Sequence, residues 1–383
     1  MALSSGIKKP LQARSKTARA KPLSGKMLLG IDVGTKSVKF VSGKVRNGRI
    51  ELDCLTYAND NNNSTINGKI TNIPAMKTLF GSGLANNRIS TKMALCSVET
   101  QGLIKRELLI PRVEDKDILN MVTYEIAQYL PIDVSSYVIQ FKQMGLVTQD
   151  GAAKLKVMVA AMPRGIVESY IQVLQLAGLE PQVMDCHSNS LEKLYRLCQE
   201  SGENSTFSEK NFVMIDMGHT SFNLTFFENG KYLFNRLLNI GGESIDLMIS
   251  NLMNVDIHEA EQVKILNSRE HTIFDMAKNA LAYSAKEKKT LGDKILNDTF
   301  SIINGWLNEI EGVLRYYTNR SRENTLQAVY LFGGGANIQG IDVFFEKRLG
   351  IKTQVINRLD IVDTGLNGHN ISQYLNAIGL LAV

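Results

Sequence analysis

Two stretches of this chain repeat one design about 184 residues apart, and that repeat constrains the fold more than any other feature. "LLGIDVGTKSVKFVSGK" (28–44) runs an apolar strand into Asp32, then Gly34, Thr35 and Ser37, then a second strand. "FVMIDMGHTSFNLTFFENGKYLFNRLL" (212–238) does the same through Asp216, Gly218, Thr220 and Ser221. After each, alternating residues cross an Asn-Gly pair, Asn47-Gly48 and Asn229-Gly230, where both positions tolerate the positive φ of a tight hairpin. A plain hairpin needs no acid and glycine at the end of its first strand. Two such loops in one chain imply two domains of the same kind, facing one another.

The residue types suit a polyphosphate. An aspartate at each strand end can hold a water-coated Mg²⁺, which keeps several waters and takes only one or two carboxylates. The glycines let backbone N–H groups close on phosphate oxygens, hydroxyls at Thr35, Ser37 and Thr220 add hydrogen bonds, and Lys39 supplies a point charge. Three further elements fit the same ligand. "AVYLFGGGANIQGI" (328–341) runs a strand into Gly333-Gly334-Gly335 with Asn337 beyond, bare backbone on which a nucleoside can lie. "GGES" (Gly241, Gly242, Glu243, Ser244) opens a helix whose first N–H groups suit phosphate or ribose. Glu261 and Lys264 stand one helical turn apart, able to reach one ligand together.

With 383 residues the chain is long enough for two cores, and 44% hydrophobic against 21% charged residues is ordinary for a soluble protein. No apolar run spans a membrane and no secretory signal opens the chain. Cys54, Cys96, Cys186 and Cys198 show no paired spacing and read as reduced thiols. Seven of the 43 basic residues fall within 1–26 with no acid among them, leaving 36 basic against 38 acidic residues in a nearly neutral body. That tail reads as disordered, with weak attraction to anionic lipid headgroups as its sharper use. It has no aromatics for stacking on nucleic acid, so no nucleic-acid partner is expected.

Between the repeats, residues 58–72 read as a polar loop, and 113–132 as a helix with Ile118, Met121, Val122, Ile126 and Tyr129 on one face and Pro131 ending it. Two strands follow around Asp150-Gly151, then a helix stopped by Gly178, and 201–211 is the best linker. The run "DCHSNS" (185–190) reads mainly as cap and turn, although Asp185, His187 or Asn189 could orient an attacking water. No metal-ligand spacing surrounds His187 or His219.

Taken in order, D-x-G-T…K, D-x-G-x-T, G-G, E-x-x-K and G-G-G-x-N resemble the actin-like ATPase superfamily, an α/β fold of duplicated ribonuclease H-like domains with ATP in the cleft between them. "IKRELLIP", "YEIAQYLP", "ESYIQVLQLAGLEPQVMD" and "IGGESID…EAEQVK" resemble in particular the PilM family of type IV pilus assembly, over about residues 26–383. The resemblance implies a tail at 1–25, a first domain at 26–107 and 164–205, and a second at 206–370. It also implies a small inserted subdomain at 108–163, like that of FtsA and PilM, and a C-terminal helix at 371–383 returning to the first domain. ATP would be held by Asp32, Gly34, Thr35, Lys36, Ser37, Lys39, Asp216, Gly218, His219, Thr220, Gly241, Gly242, Glu243, Glu261, Lys264, Gly333, Gly334, Gly335 and Asn337. Mg²⁺ would sit between Asp32 and Asp216 through water.

The partner implied is the cytoplasmic N-terminal tail of a PilN-like protein of the inner-membrane pilus platform. It would be met at Glu125, Tyr129 and Leu130, and would place a cytoplasmic chain against the inner face of the membrane. The second loop is short and no water-activating residue is assured, so at most slow turnover is expected. Two other readings use the same scaffold. An FtsA-like division filament reaches the membrane through an amphipathic C-terminal helix, whereas this chain stops at "GLLAV". A small-molecule kinase needs a carboxylate base in a substrate pocket, and none is identified.

Overall fold

A computed structural model of the chain describes residues 23–129, 133–149, 151–202, 206–283, 289–319, 325–365 and 369–383. The basic tail up to residue 22, Leu130, Pro131, Asp150 and linker residues 203–205 lie outside these, as does the side chain of Tyr129.

The first repeat folds as β1 (Leu28–Val33), β2 (Ser37–Arg46) and β3 (Arg49–Asn59), antiparallel in turn, with Asn47 and Gly48 at φ 51° and 75°. Every β1 residue is buried, which explains the apolar run before Asp32, itself buried. The polar stretch 58–72 is more than a loop. Its Asn-Gly pair at 67–68 closes a ribbon of β4 (Thr65–Ile66) and β5 (Lys69–Ile70), and buried Asp60 accepts from the backbone N–H and hydroxyl of Ser64. Burying that carboxylate requires such donors. Then come α1 (Ile73–Asn86) and β6 (Met93–Val98), which runs parallel to β1.

β7 (Ile104–Pro111), α2 (Ile118–Tyr129), β8 (Tyr137–Gln149) and β9 (Ala152–Pro163) form a separate three-stranded sheet, in the order β7-β9-β8. Ile118, Val122 and Ile126 of α2 are buried against it, one helical face as expected. The helix starts at Ile118 rather than 113, because Glu114–Asp117 are spent in a turn.

α3 (Arg164–Leu176), β10 (Glu180–Cys186) and α4 (His187–Ser201) return the chain to the first sheet, ordered β10-β6-β1-β2-β3-β16. The expected linker is anchored at its far end, since Phe207 is buried among Tyr195, Phe212 and Tyr330.

The second repeat folds as β11 (Phe212–Met217), β12 (Phe222–Glu228) and β13 (Lys231–Leu238). Four helices follow: α5 (Glu243–Met253), α6 (Ile257–Glu270), α7 (Ile273–Tyr283) and α8 (Leu291–Thr318). After them come β14 (Ala328–Phe332), α9 (Ile341–Leu349), β15 (Lys352–Val355), β16 (Val362–Asp363) and α10 (Leu375–Leu381). The second sheet is ordered β13-β12-β11-β14-β15, so β11 lies between β12 and β14 as β1 lies between β2 and β6. All four cysteines are unbridged. No helix among the described residues is long and apolar enough to cross a membrane.

One core joins the two sheets. Leu28, Val41 and Leu95 pack with Leu191 and Leu194 of α4, with Phe212, Phe227 and Tyr330, and with Leu375, Ile378 and Leu381 of α10. α10 lies so close that glycine is required on both sides. A Cβ on Gly30 would stand 2.3 Å from the Ala377 carbonyl oxygen, and one on Gly379 would stand 2.5 Å from that of Ser190. Gly30→Ala and Gly379→Ala should therefore each cost about 1–3 kcal/mol in urea unfolding. Gly81→Ala, at an exposed α1 position with nothing within 4 Å, should instead stabilise by about 0.5–1 kcal/mol. Equal effects at the three sites would contradict this packing.

Candidate functional site: two facing loops

Each repeat ends its first strand in the same turn. Gly34 N donates to the Ser37 carbonyl at 3.1 Å, and Gly218 N to that of Ser221 at 3.2 Å. The turns face each other, and the Thr35 and Thr220 hydroxyls hydrogen-bond at 3.0 Å across 185 positions of sequence. Asp32 is buried. Its Oδ1 accepts from Ser97 Oγ at 3.1 Å, and its Oδ2 lies 3.9 Å from Lys39 Nζ. Asp216 accepts from Asn376 Nδ2, on α10, at 2.8 Å. Among the described residues no cluster of three or more acids, histidines or cysteines could enclose a metal ion. Two carboxylates alone suit a cation that keeps its water.

Between those carboxylates stands His187, the first residue of α4. Its Nε2 donates to Asp32 Oδ1 at 2.8 Å, and its Nδ1 lies 3.9 Å from Asp216 Oδ2. Burial alone would raise the Asp32 carboxyl and lower the imidazole. The attraction between them wins. With help from Lys39 and Ser97 it holds Asp32 down to about 2, and with help from Glu99 and Asp216 it lifts His187 to about 9. Asp216 is pushed up by burial, an effect His187 opposes and the Asp32 charge reinforces.

The other expected residues divide. Glu261 and Lys264 do not converge on one point. Glu261 pairs with Lys36 of the first loop at 2.9 Å, while Lys264 donates to the buried Asp246 of α5 at 2.8 Å. Nor does α5 offer free N–H groups at its start. Gly242 N and Glu243 N donate to the Gly218 and His219 carbonyls, at 3.2 and 2.9 Å, and Ser244 N and Ile245 N donate to Gly241 and Gly242. The second loop is thus a cap for α5. Gly241 lets it approach, since a Cβ there would stand 2.1 Å from the His219 oxygen. His219 Nε2 lies 3.3 Å from Asp246.

In the triple glycine, Gly333 has φ 90° and a Cβ there would meet Asp216 Oδ1 at 2.5 Å, so this glycine serves the fold. Gly334 is exposed with open space where a Cβ would be. Asn337 accepts from Asn370 at 2.8 Å and donates to the Gly334 carbonyl. Asp185, in β10, and Asn189, in α4, bond to each other, with Lys193 on the same carboxylate, and α4 opens after Cys186 without a side-chain cap.

The family model of the type IV pilus assembly protein PilM matches residues 30–272, and that of the cell division protein FtsA matches residues 213–379. Among solved structures the chain is similar to the PilM–PilN type IV pilus biogenesis complex, at 20% identity, TM-score 0.74, and 92% and 97% of the two chains covered. It is also similar to the ethanolamine utilization protein EutJ of Carboxydothermus hydrogenoformans, at 15% identity, TM-score 0.54, with 94% and 91% covered. An MreB protein of Spiroplasma citri bound to ADP follows at 12%, 0.50, 93% and 95%. At these identities the structural likeness establishes the fold, which is actin-like.

The electrostatics set a pH window. His187 sits above its ordinary 6.5, so its contribution to stability is full below about pH 6.5 and is lost as pH rises through about 9. Asp32 sits below its ordinary 3.8, so its contribution is lost as pH falls from there through about 2. Urea unfolding should show stability falling by about 2–3 kcal/mol between pH 6.5 and 9, a slope absent from His187→Gln. Equal slopes in the two proteins would show that the pair does not couple to folding.

Proposed function

The chain belongs to the family of the type IV pilus assembly protein PilM, and on that premise we propose that it is a cytoplasmic pilus-assembly protein, binding Mg-ATP between its two sheets and capturing the N-terminal tail of a PilN-like membrane protein on its small sheet. In this reading residues 26–107 and 164–205 form one actin-like domain and 206–370 the other. The insertion 108–163 carries the partner site, and 371–383 returns to the first domain.

The observation that carries the nucleotide half is the convergence of the paired loops, with Thr35 and Thr220 in contact and Asp32 and Asp216 either side of one imidazole. Gly34, Thr35, Ser37, Lys39, Gly218 and Thr220 would take the phosphates, and Asp32 and Asp216 the waters of Mg²⁺. The open backbone at Gly334 would take the nucleoside. Mg²⁺ would supply charge neutralisation for the phosphates. Lys36, Glu261, Lys264 and the start of α5 reach a ligand only after giving up the partners they now hold.

For the partner half, the small sheet has two edge strands, β7 and β8, available for an added strand. An open groove of about 840 Å³ lies where the turn before α2 faces β8 and β9, lined by Arg112, Asp115, Ile118, Gln143, Leu146 and Leu155 among others. It adjoins the first turn of α2, whereas Glu125 and Tyr129 stand toward its other end and Leu130 lies outside the described residues. The two ends are separable by mutation. The tail of a PilN-like protein held here would keep the chain at the inner face of the membrane, and the basic residues up to 26 would add weak lipid attraction.

A melting scan tests the first half. Mg-ATP at a hundredfold excess over Kd should stabilise the fold by about 2.7 kcal/mol. Gly334→Val should remove that shift while leaving the nucleotide-free midpoint unchanged, because Gly334 is exposed and nothing lies within 4 Å of a Cβ placed there. No shift at millimolar Mg-ATP, with no nucleotide carried through purification, would sink the reading.

Titration of a synthetic PilN-type tail peptide tests the second half. Binding should weaken at least about tenfold, the factor that 1.4 kcal/mol represents, either in Leu146→Asp or in the double variant Tyr129→Ala with Leu130→Ala. A peptide that binds all of these equally, or perturbs NMR signals only in the second sheet, does not use the small sheet.

A further inference from the structure

His187 is held where a cation shared by the two loops belongs. It begins α4 directly after β10, which pairs with β6 so that Asp185 lies beside Ser97 and Cys186 beside Val98. That register brings the imidazole over the end of β1, and Ser190 Oγ fixes the backbone by donating to the His187 carbonyl at 2.8 Å. The charged groups around the ring come from several elements: Asp32 at the end of β1, Glu99 after β6 and Asp216 on β11, with Lys39 of β2 on the far side of Asp32 at 3.9 Å from its Oδ2. Lys105 of β7 is bonded to the neighbouring Ser188. Nδ1 has no hydrogen-bond partner although the atom is buried, and it is turned toward Asp216 at 3.9 Å. Each ring nitrogen is thus turned to a different carboxylate, and a metal bound by both would have to take the ring's place.

We propose that His187 is the resident counter-ion of Asp32 and Asp216, and that the Mg²⁺ of an incoming nucleotide displaces the imidazole from between them. This rests on the reading of the cleft as a Mg-nucleotide site, but it concerns what fills the gap before the metal arrives. A buried carboxylate facing a half-buried one repels it, and both are costly to desolvate without a cation between them. The protein meets that cost with a side chain of its own, and a divalent ion enters only in exchange for it. His187 is therefore a positioning residue that sets how much Mg²⁺ the site demands.

The test is a melting series of the full chain against MgCl₂, at ionic strength matched with NaCl, with and without a fixed concentration of ATP. The wild type, His187→Ala and His187→Gln are compared. Glutamine keeps a donor of similar size for Asp32 and so covers the case in which the alanine variant fails to fold. Without nucleotide, Mg²⁺ alone should barely move the wild type. Both variants should melt lower in the absence of Mg²⁺ and recover as it is added. With ATP present, the Mg²⁺ concentration giving half of the ATP-dependent shift should fall by about tenfold or more in the variants. An unchanged or higher Mg²⁺ requirement, or variants that Mg²⁺ alone fails to restore, overturns the proposal. If the wild type shows no ATP shift at any Mg²⁺ concentration, the nucleotide reading fails, while the arm with Mg²⁺ alone still decides the role of His187.

Discussion

Two aspartates, brought together from strands 184 positions apart, Asp32 buried at the end of β1 and Asp216 half-buried at the end of β11, are the constraint that the rest of the molecule satisfies, because salt screens such a pair far less than an exposed one. No simple apolar packing of two sheets would put them there. Asp32 is held by Ser97 from β6 and Lys39 from β2, Asp216 by Asn376 from α10, and His187 stands between them from α4. Each partner lies on an element adjoining one of the two strands. The arrangement of those elements is therefore also the arrangement that makes the carboxylates tolerable.

The same elements carry the apolar core between the sheets. α4 and α10 lie together, and Leu191, Leu194, Ile378 and Leu381 share one cluster with Leu28 and Phe212. A polar seam runs beside that core. Asn223 of β12 donates to Glu99 at 2.9 Å and accepts from Asn235 of β13, which in turn accepts from the Tyr232 hydroxyl. Buried amides and carboxylates need partners to be stable, and here the partners come from opposite sheets. The seam fixes the register of one sheet against the other in a way that apolar contact, which has no direction, cannot.

The repeated strands, their Asn-Gly hairpins and the helical face of α2 were legible because each is written locally, in a period or a dipeptide. The pairing of the loops was legible because the same pattern occurs twice. His187 was marked only as one of three residues that could orient a water, and Ser97 and Asn376 were not marked at all. They meet their carboxylates across 155, 65 and 160 positions, and nothing in the sequence around them marks the contact. Signals that did stand out misled in two places. Glu261 and Lys264 share a helix face, but each has a nearer opposite charge, Lys36 and Asp246. The glycines of 241–242 suggested an open helix start, whereas Gly241 lets the second loop sit close and the first N–H groups of the helix are already bonded. A motif read along one strand or helix says which groups are available, while the neighbouring elements decide which of them are already taken.

The small sheet is tied to α4 through two strands, β8 by Lys142 against Glu192 at 3.3 Å and β7 by Lys105 against Ser188. β7 begins at Ile104, and Lys105 bonds the Ser188 hydroxyl while lying 5.1 Å over the Tyr232 ring of β13. Burial would lower the Lys105 amine, but Cys186, Glu99 and Tyr232 around it outweigh that and raise it, so its charge is retained inside the seam. Six residues further on, the same strand forms the edge of the sheet on which α2 packs. Ser188 directly follows His187 at the start of α4, a helix otherwise fixed by its apolar face. Displacing His187 therefore acts first on the opening turn of α4, and a group bonded to that turn from outside is Lys105 at the start of β7. At Lys105 the join is a half-buried charge on a hydroxyl rather than apolar packing, and a bond with direction is broken by a small rotation that a packed core would absorb.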